Sequence, residues 1–352
     1  MQLKPLTAAI FIFTFVSGCS LFKDCQSKQT TNQRHLKRLL RTNKCVNCYL
    51  GDADLTGVDL SGADLSGSFL VNAILDDANL QGVNLSGAEL SWYDIDAGNG
   101  FGFSSSCNVD LAASLKRANL SGANLNQANL SDANLEDTNL NNSSLRGTNL
   151  SGANFNNSNL EKSDMSLSNL ENSVIEKANL KGTHLGSANL KNANLSSANL
   201  NNSIFAGANL SDANLNNSSL KGANLSSANL NNSSLKDANL SSANLKQANT
   251  ELANFSNAML SDSNLEGINP KLANFKGANL ESANLEGANL GLASLEGANL
   301  EGANLEGANI QQVSISDKFN KWKGARYNKN TKFPEGFNPI EKGMILIPLE
   351  PK

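Results

Sequence analysis

The stretch that decides the fold is Ala118-Asn119-Leu120-Ser121-Gly122, followed at once by Ala123-Asn124-Leu125-Asn126-Gln127. An apolar residue, most often Leu, falls at nearly every fifth position from Leu55 to Ile310. That step matches neither regular element. On an α-helix it turns each leucine by about 140°, which would spread the leucines over every face. On a flat strand an odd step sends successive leucines to opposite faces. All of them stay inside only if the chain turns a corner once per repeat and stacks the resulting coils on one another. Aromatics are 5% and hydrophobic residues 39% of the chain. Such a polar, low-complexity bias would mean disorder if it were not strictly periodic.

The pattern resembles the pentapeptide-repeat family, written A-(D/N)-L-x-x, over roughly three quarters of the chain. The resemblance implies an all-β, right-handed quadrilateral β-helix with four pentads per coil. About fifty pentads then make about thirteen coils, a rod of roughly 60 Å at the usual strand spacing. The central Leu and the Ala two positions before it would point inward, and the other three residues outward. Ala fits a narrow interior, Leu fills it, and Asn, Gly and Ser tolerate corner conformations. Stacked exterior Asn would hydrogen-bond along the rod, as side-chain ladders do in other stacked sheets. An interior of Leu and Ala leaves no ligand-sized cavity. The sequence holds no metal-spaced His/Cys/Asp cluster, nucleophile elbow or phosphate loop, and its two histidines, His35 and His184, are far apart. The expectation is a protein that is not an enzyme and needs no cofactor or metal.

The sequence divides into four segments: 1–18, 19–44, 45–312 and 313–352. In the first, Lys4 precedes an apolar run from Leu6 to Val16. That run is shorter than the roughly twenty residues of a membrane-spanning helix and reads as a signal peptide. Val16-Ser17-Gly18-Cys19 resembles the bacterial lipobox, which implies a lipid on Cys19 and attachment to a membrane of the cell envelope. Ser20, by the same resemblance, favours an outer membrane, facing the periplasm. From Lys23 to Lys44 the chain is basic, with Arg34, Lys37, Arg38 and Arg41 among the cations and Asp24 as the single acid. Residues around Thr31 to Arg41 suit a short helix with Leu36, Leu39 and Leu40 on one side. Such a helix closes the end of the solenoid in one reading and lies against anionic lipid in the other; the cap is favoured. Beyond Cys19 the chain carries Cys25, Cys45, Cys48 and Cys107. Cys45 and Cys48 fall at inward positions of a first coil, as small buried thiols or a disulfide bracing it. The pairing stays open.

Departures from the period mark candidate surfaces. Between Trp92 and Asp110 the repeat lapses, and Trp92, Tyr93, Phe101 and Phe103 appear; it resumes at Leu115 in phase with Ile95. Either one coil is distorted or a loop leaves and returns, and its aromatics either meet a partner or pack on the rod's flank. Asp94 to Asn99 is a poor calcium loop, because Gly98 stands at a ligand position and no Glu closes it. Leu252, Leu272 and Leu292 each follow a central position by two, where the family points outward, and twenty residues separate them. They should stack on one face, beside Thr250 and Pro270, which replace two central leucines. An exposed leucine stripe is covered or becomes a contact site. The tail, with Phe319, Trp322, Phe333, Phe337 and Met344 to Ile347, is expected to cover it; a dimer or another protein is the alternative. Tyr327-Asn328 and Thr331 to Phe337 resemble a terminal segment of family members. Glu266, Glu286 and Glu306 should also stack, as should Glu281 and Glu301, and repel one another.

The function expected is a lipid-tethered structural or interaction rod of the envelope, with an unidentified protein partner and no nucleic acid. The family's cytoplasmic members that mimic DNA and protect DNA gyrase are the rival, but they need a strongly acidic surface, and the net charge here is −4. A passive spacer is a third reading.

Overall fold

A computed structural model of the chain describes residues 22–91, 112–315 and 320–348. Parallel bridges join residues twenty apart, such as Asn119 to Asn139 and Asn139 to Asn159, so four pentads close one coil.

One pentad shows why the coil holds. In Asn159-Leu160-Glu161-Lys162-Ser163, the N–H of Asn159 donates back to Thr138 O (2.8 Å), and that of Leu160 donates forward to Asn179 O (2.7 Å). Lys162 N–H donates forward to Lys181 O (3.0 Å), and Ser163 N–H closes the corner on Leu160 O (3.1 Å). The remaining donor, Glu161 N–H, has no backbone partner and bonds to Asn159 Oδ1 (3.2 Å). All five donors are therefore used, as burial between stacked coils demands. Asn159 also spends its Nδ2 on Asn139 Oδ1 (3.2 Å), while its own Oδ1 accepts from Asn179 Nδ2 (3.1 Å). A carboxamide offers both an acceptor for the turn and a donor for the ladder, which a carboxylate does not. Where a ladder begins, no donor is needed: Asp59 Oδ1 accepts from Ser61 N–H (3.0 Å) and Asn79 Nδ2 (2.9 Å).

The second residue after each central position turns the corner with positive φ, 59° at Lys162 and 56° at Asn142. This explains the crowd of Asn, Asp and Gly there, the residues that adopt the left-handed region most readily. Inside, the leucines and alanines are buried, with Phe155, Phe205, Phe255 and Phe275 at central positions. The Phe255 and Phe275 rings stack at 4.8 Å, one coil apart. At most places where Ser replaces the inward Ala, its hydroxyl returns to the corner carbonyl, as Ser163 Oγ does to Leu160 O (2.9 Å), though that of Ser158 is buried without a partner.

A helix, α1 (Phe22–Thr42), precedes the first coil and is longer than the sequence suggests. Leu39 is fully buried under it and Leu36 packs against the core. Tyr49 N–H donates to His35 Nδ1 (2.8 Å), and Asn32 Nδ2 donates to Gly51 O. These bonds occupy backbone groups that the first coil would otherwise leave open. Asn43, at φ 53°, ends the helix in the left-handed conformation common at that place.

Across the lapse in the repeat, bridges span forty residues, Ile74 to Ser114 and Asn79 to Asn119. Ala113 N–H donates to Leu90 O (2.8 Å), the bond an ordinary corner makes. The rungs before and after thus stack directly on one another. Trp92, Tyr93, Phe101 and Phe103 lie outside the described residues, as do Cys19, Cys107 and Phe319. At the other end the tail does not run along the rod's side. Lys321, Arg326 and Lys332 bridge Asn299, Asn304 and Asn309, so the chain lays a further, non-repeat coil on the end. Strand β1 (Arg326–Tyr327) pairs in parallel with β2 (Ile345–Leu346). Trp322 is buried edge-on to Phe337, which stacks on Phe333. Among the described residues, the tail's aromatics pack on the open end and leave Leu252, Leu272 and Leu292 exposed.

The ladder makes a sharp prediction. Asn209→Asp removes a donor to Asn189 Oδ1 (3.1 Å) and sets a carboxylate against that acceptor. We expect a loss of about 1–2 kcal/mol at neutral pH in urea unfolding. The deficit should shrink in acid, because the introduced carboxyl regains a donor once it is protonated. The first coils should behave oppositely. Bonding from the Ser61 backbone and hydroxyl holds Asp59 below the usual carboxylate range, and the Ser66 hydroxyl does the same for Asp64. Their stabilisation is complete above that range and is lost as the pH falls through the lowered values. Hydrogen exchange should therefore show these coils opening in acid before the Asn-laddered middle does.

Candidate interaction surface

The surface singled out by the sequence sits on one corner of the solenoid. Going up that corner, the turn residues are Asp132, Gly152, Asn172, Asn192, Asp212 and Asn232, and then Leu252, Leu272 and Leu292. The leucines adopt the same left-handed backbone as the residues they replace, with φ of 60°, 59° and 66°. A leucine in that region costs about 1–2 kcal/mol relative to ordinary backbone. It recovers little by burial, since the three are 47%, 50% and 47% exposed. The expectation that the tail covers them is therefore corrected: the tail packs on the rod's end instead.

The same edge is where the backbone ladder fails. Asn229 bridges Asn249 and Asn289 bridges Asn309, but among the described residues neither Asn249 nor Asn289 bridges Asn269. Pro270 has no N–H to give. The Thr250 hydroxyl is buried without a partner. Strain and lost ladder bonds thus coincide with three exposed leucines.

Leu167, which the spacing argument does not single out, occupies the same kind of corner at φ 61° and is 53% exposed. The signal was present, a Leu two places after the central Met165, but it stands alone between Gly147 and Ser187 rather than in a stripe. It borders an open depression of about 660 Å³ that also includes Asn149, Asn169 and Glu171. No nucleophile–base pair converges there.

Elsewhere the charges brace coils. Arg117 grips Asp77 with two bonds of 2.7 Å across the seam where the repeat lapses, and this holds the Asp77 carboxyl below its usual range. Glu266 pairs with Lys246 (2.9 Å) and Glu306 with Arg326 (2.7 Å), so part of the expected repulsion in that glutamate stack is neutralised. His184 Nδ1 lies 3.4 Å from Asp164 Oδ1 on an exposed face, one coil apart. Cys45 and Cys48 form a disulfide buried in the first coil. Among the described residues there is no group of His, Cys, Asp and Glu that could hold a metal ion. None of the described helices is long and apolar enough to cross a membrane.

The chain belongs to the pentapeptide-repeat proteins. The family of pentapeptide repeats matches residues 47–91, 113–152, 133–172, 148–186, 168–207 and 273–312, and a pentapeptide repeat region matches 193–270. The matches stop at 91 and resume at 113, where the coils stack across the lapse. No curated protein sequence matches significantly. Among solved structures, HetL, a pentapeptide repeat protein involved in heterocyst differentiation regulation in the cyanobacterium Nostoc sp. strain PCC 7120, is 29% identical; the match covers 78% of this chain and 94% of HetL, with a TM-score of 0.25. QnrB1, a plasmid-mediated fluoroquinolone resistance protein, is 16% identical over 47% of this chain and 85% of its own, with a TM-score of 0.39. A mannuronic acid-specific polysaccharide lyase from human gut microbiota is 5% identical over 88% of this chain and 86% of its own, with a TM-score of 0.35. Superpositions this loose carry no functional argument.

If the leucines are kept for contact rather than for folding, replacing them should help the fold. The triple variant Leu252→Asn, Leu272→Asn, Leu292→Asn is expected to unfold at a higher temperature than the native chain. The gain should be up to about 1 kcal/mol per position, since Asn tolerates the left-handed corner. A lower unfolding temperature would mean that the leucines stabilise the rod.

Proposed function

We propose that this protein is a non-enzymatic rod of the bacterial cell envelope, tethered by a lipid on Cys19, that presents the Leu252–Leu272–Leu292 corner to a protein partner. The observation that carries the reading is the repeated placement of an exposed leucine on strained backbone beside an interrupted ladder. An interior filled by leucine and alanine throughout the described coils supports a binding rather than a catalytic role. The lipobox-like Val16-Ser17-Gly18-Cys19 supports the address. The distance between tether and stripe suits a spacer that carries its contact site at the far end.

Mass spectrometry of the mature protein from separated membranes tests the address. An acylated Cys19 at the N-terminus of an envelope protein is the expected result. An intact Met1 on a soluble cytoplasmic protein would sink the reading and make DNA gyrase the first partner to try. A photo-crosslinker placed at Leu272 tests the contact in cells. One discrete adduct, lost in the triple Leu→Asn variant, is expected. An adduct between two copies of this chain would identify the partner as the chain itself, and no adduct would leave a passive spacer.

A further inference from the structure

The two sides of α1 divide its residues by chemistry. Asn32, His35, Leu36 and Leu39 follow the spacing of one helix face and meet the first coil. Arg34, Lys37, Arg38 and Arg41 repeat the same spacing on the outward side, and all four are exposed. No acidic residue lies between Gln26 and Lys44. The helix crosses the end of the rod, so these cations form a basic plate on the terminal surface rather than on a flank. The chain enters the helix at Phe22, three residues after Cys19. At an extended reach of about 3.5 Å per residue, a lipid on Cys19 lies within about 10 Å of the helix start, and a helical rise of about 1.5 Å per residue sets Arg34 about 18 Å further along.

We propose that the outward face of α1 docks the rod end-on against an anionic lipid surface. The inference rests on the tethered reading of Cys19 for its location, but the contact itself is electrostatic and separate from the acyl chain. One lipid gives only marginal attachment, and a polybasic patch is the usual second signal. The same helix thus closes the solenoid with one side and seats it with the other. Standing end-on, the rod would hold its leucine corner roughly 50 Å from the lipid, at about 4.8 Å per coil.

The test separates the patch from the anchor by using the lipid-free Cys19→Ser chain, with and without Lys37→Gln, Arg38→Gln and Arg41→Gln. Each is sedimented with vesicles of phosphatidylglycerol and phosphatidylethanolamine, or of phosphatidylcholine alone. Both chains carry the same apolar first segment, so their difference reports the helix charges. Unfolding temperatures of the two chains confirm that the variant keeps its fold. We expect binding to the anionic vesicles that is released by high salt, weakened at least about tenfold by the triple substitution, and absent from phosphatidylcholine. Equal binding by both chains, or equal binding to both vesicles, would overturn the proposal. So would tighter, salt-sensitive retention on duplex DNA than on anionic vesicles. If Cys19 proves unmodified in cells while binding still follows the three cations, the plate stands and the anchor falls. If Cys19 is acylated and the three cations are irrelevant, the reverse holds.

Discussion

The structure depends on a hydrogen bond made in most repeats, from the N–H of the residue after the central leucine to the side-chain oxygen of the residue before it. Where that residue is Ser or Val, the acceptor in several repeats is an Asn of the preceding coil. Stacking satisfies three of the five backbone donors in each pentad and the corner a fourth. The fifth points along the outer face and has no carbonyl in reach. An Asn at that place supplies the acceptor and then uses its amide to bind the Asn one coil away. Repeated up a face, as from Asn129 through Asn249, this makes side chains as periodic as the backbone they serve. A narrow interior of Leu and Ala would not by itself hold coils in register. The ladder does, because a slip of one residue would strand both its donors and its acceptors.

The irregular places follow from that constraint. At the N-terminal end the ladders start on Asp59 and Asp64, acceptors with nothing above them to donate to, and α1 satisfies part of the exposed coil. At the seam between Leu90 and Ala113 the coils stay in register, with Arg117 on Asp77 and Ser114 on Asp76 joining them. At the C-terminal end the tail copies the coil without the repeat, and its aromatics fill the last apolar opening. Each of these repairs a ladder. The corner at Leu252, Leu272 and Leu292 is different, for there the ladder is interrupted and nothing among the described residues covers the gap. An end must be closed because its apolar surface is large and its backbone unpaired. A corner stripe three residues long is small enough to be tolerated.

A rod of this kind separates its features by position. One end carries α1, the far coils carry the apolar corner, and the length between them is set by the number of repeats. Solenoids divide labour in this way because each coil is stabilised chiefly by its neighbours. A local sacrifice such as the one at Pro270 weakens its own rungs without unmaking the rest.

The five-residue period was enough to decide the solenoid, its inward residues and its glycine- and asparagine-rich corners, because each follows from bonds repeated within one or two coils. It also placed Leu252, Leu272 and Leu292 on one edge, since stacking follows from spacing alone. Leu167 was as legible by the same rule, yet a single corner leucine makes no pattern. The path of the tail was not legible. Its aromatics are equally apolar against a flank or an end, and only the assembled rod presents an opening deep enough to bury Trp322. The packing of α1 on the first coil was likewise settled by tertiary structure. Alternating leucines and cations announce an amphipathic helix, but which backbone groups His35 and Asn32 meet depends on how the first coil closes. Local repetition fixes what is periodic. What happens where the period stops is decided by long-range packing, which no single repeat contains.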